Sequence, residues 1–494
     1  MSKKLPAVRS LPVKDSLDST WNAQRVFPKS RSCPLRECRV PMEPLTASTH
    51  PRRGSGPLPR RTQTESPAQT RHVVSKRHTR QRLNNNKSFV PRLIPKGFST
   101  GYHWDSVMVF VDVKVGSEKE GQFSYPAVPS LSDTPPQHGP SKPSASMVNK
   151  DLRYEDIPEP KCGQGQIKIK PAWCGICGSD LHEYLGGPSI CPTSPHPITG
   201  EQVPITFGHE FSGVIEELGK GISEKWKVGD RVCVQPIIYD GDCGACQDGL
   251  INCCYKNGFV GLGGGLSDHL VVPEYAVVKI PDNIGLDVAA LVEPLAVGWH
   301  AVNASPFKPS DSVLVLGGGP IGLAVIQALR ARGCKQIIVS EVSQMRKEFA
   351  KEFGAHHVLD PTKDDIVAKC RELADGQGVN VSFDAAGVQA GLDQAILALR
   401  ARGTHVNIAI WEKRCNFFPN DLVFREKTYM AVATYVKGDF EDVISAISDG
   451  RLDMCKKMIT KRIGLDEVVE EGFKALIKDK DNQVKILVRG SGQI

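Results

Sequence analysis

The sequence predicts a mixed α/β-plus-β architecture: a β-rich domain, a domain with a parallel sheet flanked by helices, and a long basic segment ahead of both. Three observations carry this. From residue 312 apolar strands and amphipathic helices alternate as "SVLVLGG", "PIGLAVIQALRARG", "QIIVSE" and "SQMRKEFAKEFGA". That order requires a parallel sheet with helices on its faces. From about residue 147 to 281, runs such as "QIKIKPAWC", "FSGVIEELG" and "DRVCVQP" alternate like half-buried strands and are set off by Gly and Pro. Ahead of residue 106 the chain is rich in Pro, Ser, Arg and Thr and has little periodicity.

The elements follow in order. Residues 1–105 hold 21 Lys+Arg and 6 Asp+Glu, a charge of +15, whereas the remainder holds 41 and 49, a charge of −8. Stretches such as "PRRGSGPLPRRTQTESPAQTR" cannot bury enough apolar surface to offset chain entropy, so disorder is expected. "VMVFVDVKV" (107–115) reads as a strand, but a second Pro/Ser-rich stretch, 125–146, follows it. Two linkers around one apolar run do not make a domain, so 1–146 is expected to be a disordered extension. Its Arg/Ser-rich, acid-poor composition resembles a mitochondrial transit peptide, but Pro6 and Pro12 interrupt the amphipathic helix such a peptide needs. A cytoplasmic location is therefore expected. Beyond the β-rich section, "LDVAALVEPLAVGWHAVNA" has a helical period, and the helix after "SVLVLGG" ends at Gly333, a residue suited to a helix C-terminus.

Composition narrows the function classes. At 494 residues the chain holds about two to four domains. No apolar run approaches the roughly 18 residues of a membrane span. The acidic remainder argues against a large nucleic-acid-binding face on the folded part. Fifteen cysteines are present, and no apolar signal-peptide core opens the chain. Cys243, Cys246, Cys253 and Cys254 cluster in a way that points to metal and a reducing compartment rather than to a secreted disulfide framework.

Gly317, Gly319 and Gly322 form G-x-G-x-x-G between an apolar strand and a helix, the context a dinucleotide-binding turn requires. Gly317 permits the tight turn, Gly319 lets the backbone approach a pyrophosphate, and Gly322 lets the helix pack on the strand. The helix N-terminus offers free N–H groups to the phosphates. Glu341 lies 19 residues past Gly322, at the end of the next strand. A carboxylate there bonds the ribose hydroxyls and repels a 2′-phosphate, which favours NAD. Arg346 nearby keeps NADP use open.

A metal site is also indicated. "CGICGSDLHEY" (174–184) offers two cysteines and a histidine, "GHE" offers His209 and Glu210, and "VEPLAVG" offers Glu293. Zinc takes thiolate, imidazole and carboxylate, and a catalytic zinc leaves one position open. Glu293 stands in an apolar helical run, where an unpaired buried carboxylate would cost several kcal/mol and a metal would remove that cost. Cys233 and Cys334 read as core.

"GHEFSGVIEELGKGI" (208–222) carries the zinc-containing alcohol dehydrogenase signature. With "GICGSDLHEY", "VEPLAVG" and "GGGPIG", residues 150–489 resemble a zinc-dependent medium-chain dehydrogenase, and most closely its butanediol and sorbitol/xylitol dehydrogenase branch. The resemblance implies a GroES-like catalytic domain over about 147–299, completed by 435–494, with a Rossmann-type NAD domain inserted at 300–434. It implies Cys177 rather than Cys174 as a zinc ligand, with His209 and Glu210. Glu293 falls where this branch places an acid beside the zinc, as ligand or bonded to its water. Asp180 resembles the carboxylate that orients the zinc-bound imidazole. Ser179 and His182 resemble a proton relay. The family's structural zinc lobe has four cysteines spaced C-x2-C-x2-C-x7-C, and this chain reads Asp240-x2-Cys243-x2-Cys246-x7-Cys254, with adjacent Cys253 as a substitute ligand. The family opens with a strand just before "DLRYEDIPEP", where this chain has "KPSASMVN". That strand is expected to be missing or supplied by 107–115.

The expected activity is NAD-dependent oxidation of a secondary hydroxyl in a small vicinal diol, with 2,3-butanediol and acetoin as first choice. Sorbitol, xylitol or L-threonine are the alternative substrates. The resemblance implies a homo-dimer or homo-tetramer. A reading from another class, a basic segment that binds nucleic acid or an anionic membrane, is disfavoured because the segment has no interleaved aromatics.

Overall fold

The computed structural model describes residues 4–10, 151–258 and 264–490. Fifteen strands lie among them: β1 (Lys4–Ser10), β2 (Leu152–Pro158), β3 (Gln166–Gly175), β4 (Glu210–Leu218), β5 (Arg231–Val234), β6 (Leu270–Pro273), β7 (Val277–Lys279), β8 (Ser312–Leu316), β9 (Gln336–Ser340), β10 (His357–Leu359), β11 (Val379–Asp384), β12 (Leu399–Asn407), β13 (Thr428–Ala431), β14 (Ile459–Gly464) and β15 (Lys485–Arg489).

Two larger sheets position the site. A seven-stranded, largely antiparallel sheet runs β14-β15-β3-β4-β5-β7, with β6 also paired to β3. It draws together residues from both ends of the described chain, because β15 pairs with β3 through Leu487↔Gly175 and Val488↔Cys174. The second sheet has six strands in the order β10-β9-β8-β11-β12-β13, all parallel. The order runs outward from β8 on both sides, so the crevice beyond the C-terminal ends of β8 and β11 is the topological switch point where doubly wound sheets bind ligands. Every residue of β8 is buried, as expected for a parallel strand covered on both faces. Helix Pro320–Ala331 leaves β8 through the glycine turn, with Pro320 at its first position and Gly333 at φ +69° just past its end. Helix Val292–Ala304 is buried at Leu295, Ala296, Trp299 and Val302, which share one core with Val313, Leu323 and Ile326 of the parallel domain.

The N-terminal region differs from the sequence expectation at one place. Lys4–Ser10 is a strand, paired antiparallel with β2 from Lys4↔Pro158 to Ser10↔Leu152. It stands where the family's opening strand was expected. The pairing is long-range, and a seven-residue segment interrupted by Pro6 has no local signal of its own. Among the described residues β1 pairs with β2 alone, and an edge strand is where a proline is tolerated. Residues 11–150, including the expected disordered stretches and the 107–115 strand, lie outside the described residues.

Candidate zinc and dinucleotide site

Helix Gly178–Gly186 begins at Cys177. Its third residue, Asp180, uses one carboxylate oxygen to accept from the Cys177 backbone N–H at 2.9 Å. The other oxygen stands 3.4 Å from His209 Nδ1. One buried acid therefore caps the helix that presents Cys177 and orients the imidazole that ends the loop before β4. Glu210 follows His209 as the first residue of β4. Ligand atoms of Cys177, His209 and Glu210 lie within 4.8 Å of one another. A thiol, an imidazole and a carboxylate at that spacing form a chemically suitable donor set for zinc. Cys174, two strand positions from Ile176, is buried and outside the set; burial pushes its thiol up.

Glu293 is buried in the first turn of helix Val292–Ala304. It is not within 4.8 Å of all three donors. Its Oε1 accepts from the Tyr435 hydroxyl at 2.8 Å, and burial pushes its carboxyl up to about 7. Tyr435 is itself fully buried, and that burial with the Glu293 charge beside it raises its hydroxyl well above the ordinary value, so the phenol keeps its proton and donates.

The expected relay is only partly assembled. Ser179 is buried, with its Oγ 3.4 Å from His209 Nε2, the ring nitrogen opposite Asp180. His182 is half-exposed and faces Glu412 at 3.3 Å. Residues three apart on a helix are neighbours at about 5–6 Å between Cβ atoms, not hydrogen-bond partners by default, and here the imidazole turns toward the loop after β12.

The turn after β8 uses its glycines as backbone devices. Gly317 sits at φ +91°, and a Cβ on Gly322 would overlap the Gly317 carbonyl oxygen. Glu341, buried at the end of β9, accepts from the Gly318 N–H at 2.6 Å and from Val342 and Ser343 N–H at 2.7 and 2.8 Å. Arg346 flanks the same turn: its Nη1 lies 3.8 Å from where a Cβ on Gly319 would stand, and its Nη2 donates to the Lys480 carbonyl at 2.7 Å. Asp384, at the end of β11, accepts from Ala386 and Gly387 N–H and shapes the loop facing Gly317.

The second cysteine cluster also converges. Ligand atoms of Asp240, Cys243, Cys246 and Cys254 lie within 4.8 Å of one another. The Cys243 and Asp242 backbone N–H groups hold the Asp240 carboxyl well below its usual range, so it is ionised and available to a cation. Cys253, the substitute ligand considered from sequence, is exposed and outside the cluster.

Two groups escaped sequence reasoning. Lys485 of β15 donates to both Glu210 oxygens at 2.6 Å. Its signal was a lone lysine inside the apolar run "VKILV". Tyr435 had no signal, because nothing local marks a tyrosine that closes on a residue 142 positions away.

Residues 163–282 match the alcohol dehydrogenase GroES-like domain and residues 320–449 the zinc-binding dehydrogenase domain. The chain is 47% identical over 345 residues to the (R,R)-butanediol dehydrogenase of Bacillus subtilis, covering 69% of this chain and 97% of that protein. The crystal structure of 2R,3R-butanediol dehydrogenase from Bacillus subtilis superposes with a TM-score of 0.65 at 46% identity, over 69% of this chain and 97% of that one. The sorbitol dehydrogenase of Bacillus subtilis is more distant, at 28% identity over 371 residues, covering 72% of this chain and 99% of that protein. With both domains matched and nearly the full length of such relatives covered, the chain belongs to the zinc-binding dehydrogenases of the alcohol dehydrogenase family.

Proposed function

We propose that this chain is a zinc- and NAD-dependent dehydrogenase that oxidises a secondary hydroxyl of a small vicinal diol, 2,3-butanediol to acetoin, and catalyses the reverse reduction. The observation that carries the chemistry is the convergence of half-buried Cys177 with buried His209 and Glu210. The nearer likeness to butanediol than to sorbitol dehydrogenase carries the substrate. When bound, zinc supplies Lewis-acid polarisation of the hydroxyl oxygen and NAD accepts the hydride.

The chain's own residues do the rest. Cys177, His209 and Glu210 would hold the metal, and Asp180, 3.4 Å from His209 Nδ1, leaves Nε2 as the ring's ligand atom. Ser179 Oγ, beside Nε2, would accept the substrate hydroxyl proton while handing its own proton on toward His182. His182, half-exposed, passes a proton to solvent once water or a substrate hydroxyl bridges it to Ser179. Glu293, kept in place by Tyr435, supplies a further carboxylate beside the donor set. Gly317, Gly319 and Gly322 receive the pyrophosphate of NAD, and Glu341 selects it over NADP through the ribose hydroxyls. Arg346 closes the rim of that site. Asp240, Cys243, Cys246 and Cys254 hold a second, structural zinc.

We also read the chain as a homo-oligomer. Ile410, Phe418, Val423 and Phe424 are exposed around a segment that packs on the edge strand β13 through Phe417 and Tyr429. An apolar patch of this kind beside an open sheet edge favours association with a second copy. Among the described residues no helix is long and apolar enough to cross a membrane. The buried free thiols of Cys233, Cys370 and Cys455 support a reducing, cytoplasmic setting.

The substrate assignment is tested by initial rates with NAD and the three stereoisomers of 2,3-butanediol, sorbitol, xylitol and L-threonine. The highest kcat/KM is expected for a butanediol isomer. A preference for sorbitol or threonine moves the substrate while leaving the zinc–NAD chemistry intact.

A further inference from the structure

We propose that Lys485 is a positioning residue that competes with the metal for the Glu210 carboxylate and so sets how tightly the site holds zinc. The inference rests on the reading of Cys177, His209 and Glu210 as a zinc-binding set, and the experiment below separates the failure of one from the failure of the other.

Lys485 reaches the site from β15, which pairs with β3 alongside β4. Its ammonium donates to Glu210 Oε1 and Oε2 at 2.6 Å each and to the Ile176 carbonyl at 3.2 Å. An ammonium has three donors, so every one is used. Lys485 is 2% exposed and Glu210 0% exposed, and mobile ions do not screen a pair that solvent does not reach. Gly175, at the end of β3, makes room for it: a Cβ there would collide with Glu210 Oε2 and press on the Lys485 chain.

The same carboxylate offers its oxygen to the donor set formed with Cys177 and His209. Two cations therefore address one anion. Without metal, Lys485 is the counter-ion that keeps Glu210 from being an unpaired buried charge. With metal, that need is already met, and the ammonium adds a positive charge close to a dication. Lys485 thus stabilises the metal-free form more than the loaded form. By linkage, whatever favours the empty state lowers affinity for the ligand.

This gives a sign that a merely structural lysine does not. Lys485→Met should destabilise the metal-free protein and raise its zinc affinity by about tenfold or more, because the metal alone then neutralises Glu210. Lys485→Gln keeps two N–H donors and removes only the charge, so it should fold where Met does not and shift affinity in the same direction.

The experiment strips the full-length protein of metal and measures zinc affinity by competition with a chromophoric chelator. It also records the cobalt(II) absorption spectrum and the thermal midpoint with and without zinc. Tighter zinc binding in both variants, a lower metal-free midpoint recovered by zinc, and a shifted cobalt ligand-field band are expected. Unchanged or weaker zinc binding in the variants, with a wild-type site that binds normally, overturns the role of Lys485. Thiolate charge-transfer intensity that Cys177→Ser leaves unchanged, all of it then arising at Cys243, Cys246 and Cys254, overturns the metal reading at Cys177, and the proposal with it.

Discussion

Tyr435 donates a 2.8 Å hydrogen bond to Glu293 across 142 residues of sequence. The bond ties the chain that follows the parallel domain to the helix that precedes it, with Glu293 and Tyr435 both buried. Tyr435→Phe keeps the ring and its edge-on packing against Phe440 but removes the donor. A buried carboxylate oxygen left without its partner costs about 1–3 kcal/mol. The expected outcome is a lower thermal midpoint and a fall of about tenfold in kcat/KM for the diol, measured as a free-energy difference between variants. An unchanged midpoint and rate would show that the bond holds nothing the enzyme uses.

Glu341 decides between the two nicotinamide dinucleotides. It already accepts from the Gly318 N–H of the glycine turn at 2.6 Å, which holds its carboxylate at the ribose side of that turn. Glu341→Ser should lower kcat/KM for NAD by about 10–100-fold, the worth of charged hydrogen bonds to the ribose. NADP should lose far less, since the repulsion of its 2′-phosphate is also removed. Steady-state rates with each dinucleotide measure the ratio.

Acid stability should report on His405. This residue is fully buried, and it shares a hydrogen bond with Ser382 at 2.9 Å across β11 and β12. Burial lowers its pKa to about 4, against roughly 6.5 in an unfolded chain. The unfolded state therefore binds the proton first, and stability is lost as pH falls from about 6.5 toward 4, by roughly 3 kcal/mol at the limit. Thermal midpoints across that window should drop more steeply for the wild type than for His405→Gln. Parallel curves would remove His405 from the account.

The β1–β2 pairing makes a further prediction about the long N-terminal region. Ser10 and Leu152 are register partners, so 11–151 connects two strands of one hairpin rather than preceding the enzyme. Replacing 11–151 with a two-residue Asn-Gly turn, which suits such a hairpin, should leave the thermal midpoint and diol turnover near wild type. Deleting 1–151 instead removes β1, exposes the β2 edge and should lower the midpoint and promote aggregation. Equal behaviour of the two deletions would mean that β1 contributes nothing.

These residues show what a sequence makes legible and what it hides. His209 and Glu210 sit in one short motif whose donor chemistry is local, whereas only the family resemblance separated Cys177 from Cys174; the structure brings ligand atoms of Cys177, His209 and Glu210 within 4.8 Å of one another. The glycine turn was readable because φ +91° at Gly317 and the close approach at Gly322 leave glycine little competition. The parallel sheet followed from the strand–helix period. What stayed hidden depends on distant closure. Lys485 meets Glu210 only because β15 returns to β3, and Tyr435 meets Glu293 only because the chain re-enters the first domain. β1 lacked periodicity, and its pairing partner lies beyond a long intervening segment. His182 was read only through its resemblance to a proton relay, and no local pattern links it to Glu412, which its ring faces at 3.3 Å.

The most direct test of the central claim follows NADH at 340 nm with purified full-length protein and (R,R)-2,3-butanediol. The rate is recorded as prepared, after removal of metal by a chelator, and after zinc is added back, with His209→Ala as the control. The account predicts diol-dependent NADH formation that disappears with the metal, returns with zinc, and is lost at every stage in the variant. Turnover that survives metal removal, or that persists in His209→Ala, would contradict it.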